Sequence, residues 1–261
     1  MEQKTIRILS FNVRYGGKGL HSAKSRAPLV IETLWAAQPD SFGLQEARWE
    51  WMEYLTAGLP EYGWVGVGRE DGVRGGEFTP VFYRRDRYEL VDSGNFWLSE
   101  TPERPSKGWD GAFPRVCTWA ALRNRETGAC YAHVNTHLDH IGAQAQLEGA
   151  RLVREKLLSF PMPAVCTGDF NVPEGSAVYR LLNDGPIGDA KYLAAERMSS
   201  GTYHGYHPFL ARKKSPIDFI FITKESFAPQ VSRVVNHRVH GRLASDHYAI
   251  YADMLQQADT K

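Results

Sequence analysis

A single α/β domain, packed β-sheets flanked by helices, is the fold class this sequence predicts. Three observations carry that expectation. Short runs of β-branched and aromatic residues recur from one end of the 261 residues to the other. Helical stretches join some of these runs and tight turns join others, which is the mixture of crossovers and hairpins expected of packed sheets. No Pro/Gly/Ser-rich linker, low-complexity tract or internal repeat divides the chain. Composition agrees, because 43% hydrophobic residues supply a core and a net charge of +1 removes any reason for disorder. The balance of 31 Lys+Arg against 30 Asp+Glu also excludes coating of a polyanion by bulk charge, while leaving a local basic patch open.

The first strand is Ile6–Phe11. Pro28 to Gln38 has Leu29, Ile31, Leu34 and Trp35 at helical spacing and stops at Pro39. Ser41–Leu44 is a short strand and Trp51–Leu59 a second helix. Tyr62–Val67, Pro80–Tyr83 and Tyr88–Trp97 follow as strands, the last two joined by an Arg85-Asp86-Arg87 turn. Leu98 to Pro114 has no periodicity and reads as a long loop, a kind of segment that often carries function. Val116–Leu122 and Ala129–Leu138 form a hairpin about Glu126-Thr127-Gly128. Ala143–Leu158 is the clearest helix, then Ala164–Thr167 a strand and Ser176–Leu182 a helix. Ile217–Ile222, Val231–Val235 and Tyr248–Met254 end the chain as strands.

Cys117, Cys130 and Cys166 lie in apolar, strand-like surroundings and read as buried, reduced thiols, too few for a disulfide scaffold. Residues 1–4 are polar and lead straight into a strand, so a cytoplasmic location is expected. No run approaches the ~20 apolar residues of a membrane span, so no membrane partner is expected.

Chemistry collects where apolar strands stop. Asn12 ends the first strand, Glu46 follows Leu44-Gln45, and Asn135-Thr136-His137 ends the strand from Ala129. Gly168-Asp169-Phe170-Asn171 follows Thr167, Asp218 opens the strand from Ile217, and Ser245-Asp246-His247 precedes the last strand. Buried charges are costly unless paired or metal-bound, so these six termini point to one shared site at the sheet edges. Four carboxylates, two amides and two imidazoles without a Cys suit Mg²⁺ or Mn²⁺, with substrate phosphate completing the shell. That inventory describes a phosphoester hydrolase.

In order, Leu9–Asn12, Leu44–Glu46, Asn135–His137, Thr167–Asn171, Ile217–Ile220 and Ser245–His247 resemble the motifs of the endonuclease/exonuclease/phosphatase superfamily. It includes DNase I-like nucleases, abasic-site endonucleases, inositol polyphosphate 5-phosphatases, neutral sphingomyelinases and cytoplasmic deadenylases. The resemblance runs from Ser10 to His247 and implies a four-layered α/β sandwich, two packed mixed sheets covered by helices. Glu77, in Gly76-Glu77-Phe78-Thr79-Pro80, resembles the DNase I-like Glu that bonds a catalytic His, which implies the pairs Glu77–His137 and Asp218–His247.

The resemblance implies these roles. Glu46 binds the cation with Asn12 and Asp246, directly or through water. Asp169 deprotonates the attacking water. Asn171 and His137 contact phosphate oxygens, and His247, held by Asp218, stabilises the pentavalent transition state or assists a proton transfer. No activated Ser, Cys or Thr appears in the motifs, so in-line attack by water is expected. Arg14 departs from the acid that abasic endonucleases carry two residues after the first-strand Asn, which weakens that reading and a second metal site with it.

For the substrate, Phe96 to Arg115 resembles a bacterial branch near the deadenylases that includes sugar-phosphate phosphatases. Arg115, with its planar permanent charge, is a phosphate-contact candidate. Trp109 and Trp97 are stacking candidates, the resemblance implies that His204 lies in a substrate-contacting loop, and His140 reads as a loop residue near the substrate. His137-Leu138-Asp139-His140 lacks the HExxH spacing of a zinc site. Arg212-Lys213-Lys214 is a short basic run of the kind usually solvated. A phosphatase or phosphodiesterase acting on a small soluble ester is favoured, with a nuclease, DNase-like or deadenylase-like, as the alternative. A non-catalytic binding domain ranks last, since no motif residue is missing.

Overall fold

The structure is a computed structural model that describes residues 5–211, 214–236 and 238–257. Arg212 and Lys213 of the basic run lie outside the described residues.

In chain order the elements are β1 (Thr5–Asn12), α1 (Ala23–Ala37), β2 (Ser41–Gln45), α2 (Trp49–Gly58), β3 (Tyr62–Val65), β4 (Val81–Arg84), β5 (Tyr88–Trp97), β6 (Val116–Asn124) and β7 (Cys130–His137). There follow α3 (Ala143–Ser159), β8 (Ala164–Asp169), α4 (Ala177–Leu182), β9 (Ile187–Asp189), α5 (Ala190–Leu193), β10 (Glu196–Arg197), α6 (Pro208–Ala211), β11 (Asp218–Thr223), β12 (Phe227–Val235) and β13 (Ala249–Gln256). One sheet has seven strands in the order β10-β12-β13-β1-β2-β4-β3; the other has six, β5-β6-β7-β8-β11-β9. Both are mixed. β1–β2 and β7–β8 are parallel pairs bridged by α1 and α3, because parallel neighbours need a crossover.

Alternation along each strand produces the four layers. In β1, Leu9 and Phe11 join the core under α1 and α2, with Phe42 and Leu44 of β2. Ile6 and Ile8 face the other way, between the sheets, with Tyr131, Val165, Ile220, Ile222 and Ile250. On the second sheet, Val134, Cys166, Phe219 and Phe221 pack beneath α3 and α4.

The layer between the sheets changes character along its length. Beyond the apolar end comes a buried polar seam. Tyr131 donates to Ser41 Oγ at 2.9 Å, and Ser41 meets His133 Nδ1 at 2.7 Å. His133 Nε2 meets Thr167 Oγ1 at 2.9 Å, and Thr167 donates to Asn135 Oδ1 at 3.0 Å. Gln45 Nε2 also donates to Asn135 Oδ1, at 2.8 Å, while Asn135 Nδ2 donates to the Leu44 and Pro80 carbonyls of the facing sheet. Burial pushes His133 down to about 3, so its ring is neutral. Gly43 lets the sheets approach here, because a Cβ on it would overlap Thr167 Oγ1 and Asn135 Oδ1. Gly43→Ala is therefore expected to cost about 1–3 kcal/mol through overpacking. An unchanged urea midpoint would refute that.

Several expectations need correction. The first helix begins at Ala23, not Pro28; Ser22 caps it by accepting from the Ser25 N–H, and Pro28 is carried inside. Cys130 is half-buried rather than buried. β12 starts at Phe227, with an irregularity between Pro229 and Val231 that absorbs the missing proline N–H. The elements between Ile187 and Ala211 are two to four residues each, too short to show a period.

Candidate active site

The polar ends of the inner-facing rows meet at one end of the seam. In β7 and β8 the parallel register sets His137 beside Asp169, and the antiparallel register of β11 sets Asp218 on the other side of Asp169. On the first sheet, Asn12 ends β1 opposite Gln45, one residue before Glu46. The turn before β13 adds Asp246 and His247. All six motif segments therefore converge at one site.

Asp169 lies at its centre. Its Oδ2 accepts from Asn12 Nδ2 at 2.9 Å and lies 3.7 Å from Nε2 of both His137 and His247. Its Oδ1 accepts the Asn171 N–H at 3.0 Å. Burial, with Asp218 alongside, pushes Asp169 up to about 7. His247 Nδ1 meets Asp218 Oδ2 at 2.9 Å. Burial alone would lower His247, but Asp218 outweighs it through charge and hydrogen bond, with Asp169 and Asp246 behind, and raises it to about 10.

His137 is the opposite case. Burial, then Arg115 and Arg69, hold it well below its ordinary value, so it is neutral. Asn171 Nδ2 donates to the Leu138 carbonyl at 3.0 Å and meets His137 Nε2 at 3.0 Å. That network makes Nε2 an acceptor and puts the ring proton on Nδ1. Nδ1 has no partner, and neither have Arg69 Nε and Arg115 Nη1 beside it. A pocket of about 10 Å³ lined by these residues and Glu77 has room for one bridging water.

The Glu77–His137 pair expected from the resemblance does not form. Glu77 accepts instead from Arg69 Nη1 at 2.6 Å. Arg69 and Glu77 face each other across one loop, the Arg69 N–H reaching the Glu77 carbonyl at 3.1 Å. A permanent cation that close takes the carboxylate from an imidazole that burial keeps neutral.

Above the floor lies a cleft of about 600 Å³. Glu46, Glu77, Arg115, His137, His140, Asp169, Asn171, Asp246 and His247 all line it. Asn12 and Asp218 act from behind. Arg115 leans on Asp139 (3.4 Å) and meets His140 Nδ1 at 3.1 Å. Trp109 is not in the cleft; its N–H reaches the Glu100 carboxylate, and Phe113 supplies the aromatic wall, its ring stacked over His140. His204 is not there either. It is buried, accepts the Tyr206 N–H and packs on Tyr248, while its neighbour Tyr203 reaches the cleft and His247. Trp97 is buried and donates to the Arg69 carbonyl, which fixes the loop. Sequence reasoning missed Tyr15, Arg48, Arg69, Glu70, Phe113 and Tyr203 as lining residues, and gave Arg14 no role in the cleft.

Arg14, Glu46 and Asn171 have φ of 57°, 62° and 54°. Three non-glycine residues in the left-handed region at one cleft are strain of the kind that collects at functional sites.

The donors fit a hard divalent cation: carboxylate and amide oxygens with no thiol. Asp169, Asp218 and His247 bring ligand atoms within 4.8 Å of one another, but that group is already balanced by the His247 cation. Glu46 opens into the cleft and accepts only from Asn12 Nδ2 and the Tyr15 N–H, both at 2.9 Å. It is the better anchor. The Asn12 amide turns its N–H₂ to Glu46 and Asp169 and its oxygen to the Arg14 N–H, so it orients both carboxylates.

The sequence matches the Endonuclease/Exonuclease/phosphatase family over residues 9–247. No curated protein matches it. Among solved structures, an endonuclease/exonuclease/phosphatase family protein from Bacteroides thetaiotaomicron is 32% identical with a TM-score of 0.93, covering 99% of this chain and 100% of that one. A mannosyl-6-phosphatase from Bacteroides thetaiotaomicron VPI-5482 is 32% identical with a TM-score of 0.88, covering 96% and 99%. D. rerio TDP2, bound to a single-stranded DNA product, shares the fold at 19% identity and a TM-score of 0.78, covering 96% and 99%.

Proposed function

This chain belongs to the Endonuclease/Exonuclease/phosphatase family, and from that premise we propose that it is a Mg²⁺- or Mn²⁺-dependent hydrolase of small phosphate esters such as sugar phosphates. The observation that carries the reading is the Asp169 carboxylate, 3.7 Å from one neutral and one cationic imidazole at the floor of the cleft. Asp169 takes the proton of the attacking water. The His247 cation, fixed by Asp218, faces the charge that builds on the phosphate oxygens. Asn171 lines the same wall, its Nδ2 held by the Leu138 carbonyl and by His137 Nε2, so that it fixes the neutral imidazole. Glu46 would hold the divalent ion, which would supply polarisation of a phosphate oxygen and neutralisation of charge on the leaving oxygen. No Ser, Thr or Cys lines the cleft among the described residues, in keeping with direct attack by water.

The cleft volume is that of a small-molecule site. Arg14, Arg48, Arg69 and Arg115 in its walls suit an anionic ester. The similarity to a mannosyl-6-phosphatase over nearly the whole chain supports a sugar phosphate as the first class to test. The test is a Mg²⁺/Mn²⁺-dependent screen of hexose phosphates, inositol phosphates, a bis-aryl phosphodiester, poly(A) RNA and plasmid DNA. Metal-dependent turnover of a hexose phosphate is expected. Turnover of nucleic acid with none of the small esters would overturn the proposal in favour of a nuclease.

A further inference from the structure

Beneath the floor of the cleft, three N–H donors converge without an acceptor. Arg69 Nε, Arg115 Nη1 and His137 Nδ1 are hidden from solvent, and none has a hydrogen-bond partner among the described residues. Their residues are each less than a tenth exposed. The other atoms of these groups are committed. Arg69 Nη1 donates to Glu77 Oε2 at 2.6 Å. Arg115 Nε reaches Asp139 Oδ2 at 3.4 Å, and its Nη2 meets His140 Nδ1 at 3.1 Å. His137 Nε2 meets Asn171 Nδ2, which leaves the ring proton on Nδ1. A buried donor with no acceptor is costly, and more so when it carries charge.

All three residues line one cavity of about 10 Å³, room for a single small guest. Glu77, Phe78, Thr79 and Val116 complete its walls. Thr79 Oγ1 donates to the Val116 carbonyl at 2.9 Å, so its hydroxyl hydrogen is already engaged. A water molecule accepts at two lone pairs and would leave one of the three donors unmet. A monatomic anion accepts from all three and requires no acceptor in return. Two guanidiniums stand against one carboxylate in these walls, and that carboxylate is already bonded to Arg69. The three nitrogens are hidden from solvent, so an ester in the open cleft does not reach them.

We propose that this cavity is a halide site, taking one chloride ion in contact with Arg69 Nε, Arg115 Nη1 and His137 Nδ1. The ion holds the proton on Nδ1 and so keeps Nε2 turned towards Asn171 and Asp169. The assignment does not depend on which ester the cleft hydrolyses, and its binding is read without turnover.

The test uses the full chain, with chloride and bromide as probes. Crystals grown in sodium bromide, or in sodium chloride with data taken at long wavelength, are expected to show one anomalous peak in the cavity, within hydrogen-bond reach of the three nitrogens. Chloride NMR line broadening gives the dissociation constant in solution. Sodium chloride at about ten times that constant is expected to raise Tm by about 2–3 °C over sodium gluconate of equal ionic strength. Arg115→Lys, which keeps the charge and removes Nη1, is expected to weaken chloride binding at least ~10-fold, as loss of a hydrogen bond to a charged group does. Only a water in the cavity of both crystals, or a Tm equal in chloride and gluconate, would overturn the assignment. So would unchanged chloride affinity in a folded Arg115→Lys. A halide bound there in a chain that turns over no phosphate ester would sink the functional reading and leave this site standing.

Discussion

Asp169→Asn is expected to lower kcat by about 10²–10⁴-fold, the range of a positioned general base, and to leave the protein at least as stable as wild type at pH 8. The two effects share one cause. Burial and Asp218 hold Asp169 up to about 7, which places its ionisation where a base is useful and makes the ionised form unfavourable in the fold. A carboxyl raised in the folded state contributes stability that is full below its unfolded value near 4 and is lost as pH rises through about 7. An isosteric amide removes that loss together with the base. In wild type, turnover should rise with pH through the ionisation of Asp169, and a cation on Glu46 will pull that limb to lower pH. The limb should vanish in the variant. A variant that keeps a tenth of wild-type turnover, or that unfolds at a lower temperature at pH 8, would show that Asp169 is not the base described.

Asp218→Asn should act through His247. Turnover is expected to fall by about 10²-fold or more, as for other positioned acid–base groups, and the stability–pH curve to change slope. His247 is raised to about 10 in the folded state and lies near 6.5 unfolded. Its contribution is therefore complete below about 6.5 and lost as pH rises through about 10. Between those values the folded protein holds one proton that the unfolded chain does not. Wild-type stability should then fall by about 1.4 kcal/mol per pH unit from this group. Without Asp218 the imidazole loses its strongest partner, and the slope from pH 7 to 9 should shrink towards zero. Urea unfolding at three pH values measures it. Equal slopes in the two proteins would mean that Asp218 does not hold the His247 proton.

Much of this site was legible in the sequence because β-strand geometry is local. Once Ile6 and Ile8 face the second sheet, Asn12 must end on the same face, and the same parity carries His137, Asp169 and Asp218. What was not legible depended on partners distant in sequence or on loop paths. Glu77 sits at the expected place, but the loop that begins at Gly66 returns Arg69 to it first. Trp109 is a plausible stacking residue by type, yet the path of its loop, with a left-handed turn at Trp109, presents Phe113 instead. His204 and Tyr203 alternate, and which of the two entered the cleft depended on the antiparallel bridge between Tyr203 and His247. Arg14 was visible as a departure from a pattern; its partner, Asp246, lies 232 positions away.

The polar seam between the sheets makes the cleft a property of the whole domain. Glu46 and Asp246 belong to one sheet and its loops, while His137, Asp169 and Asp218 belong to the other. Asn135, with Gln45 and the Leu44 carbonyl, and His133, with Ser41, fasten the two together a few residues below. Neither half of the chemistry can slide against the other without unmaking that buried network. Parting the two sheets would therefore dismantle the site together with the core.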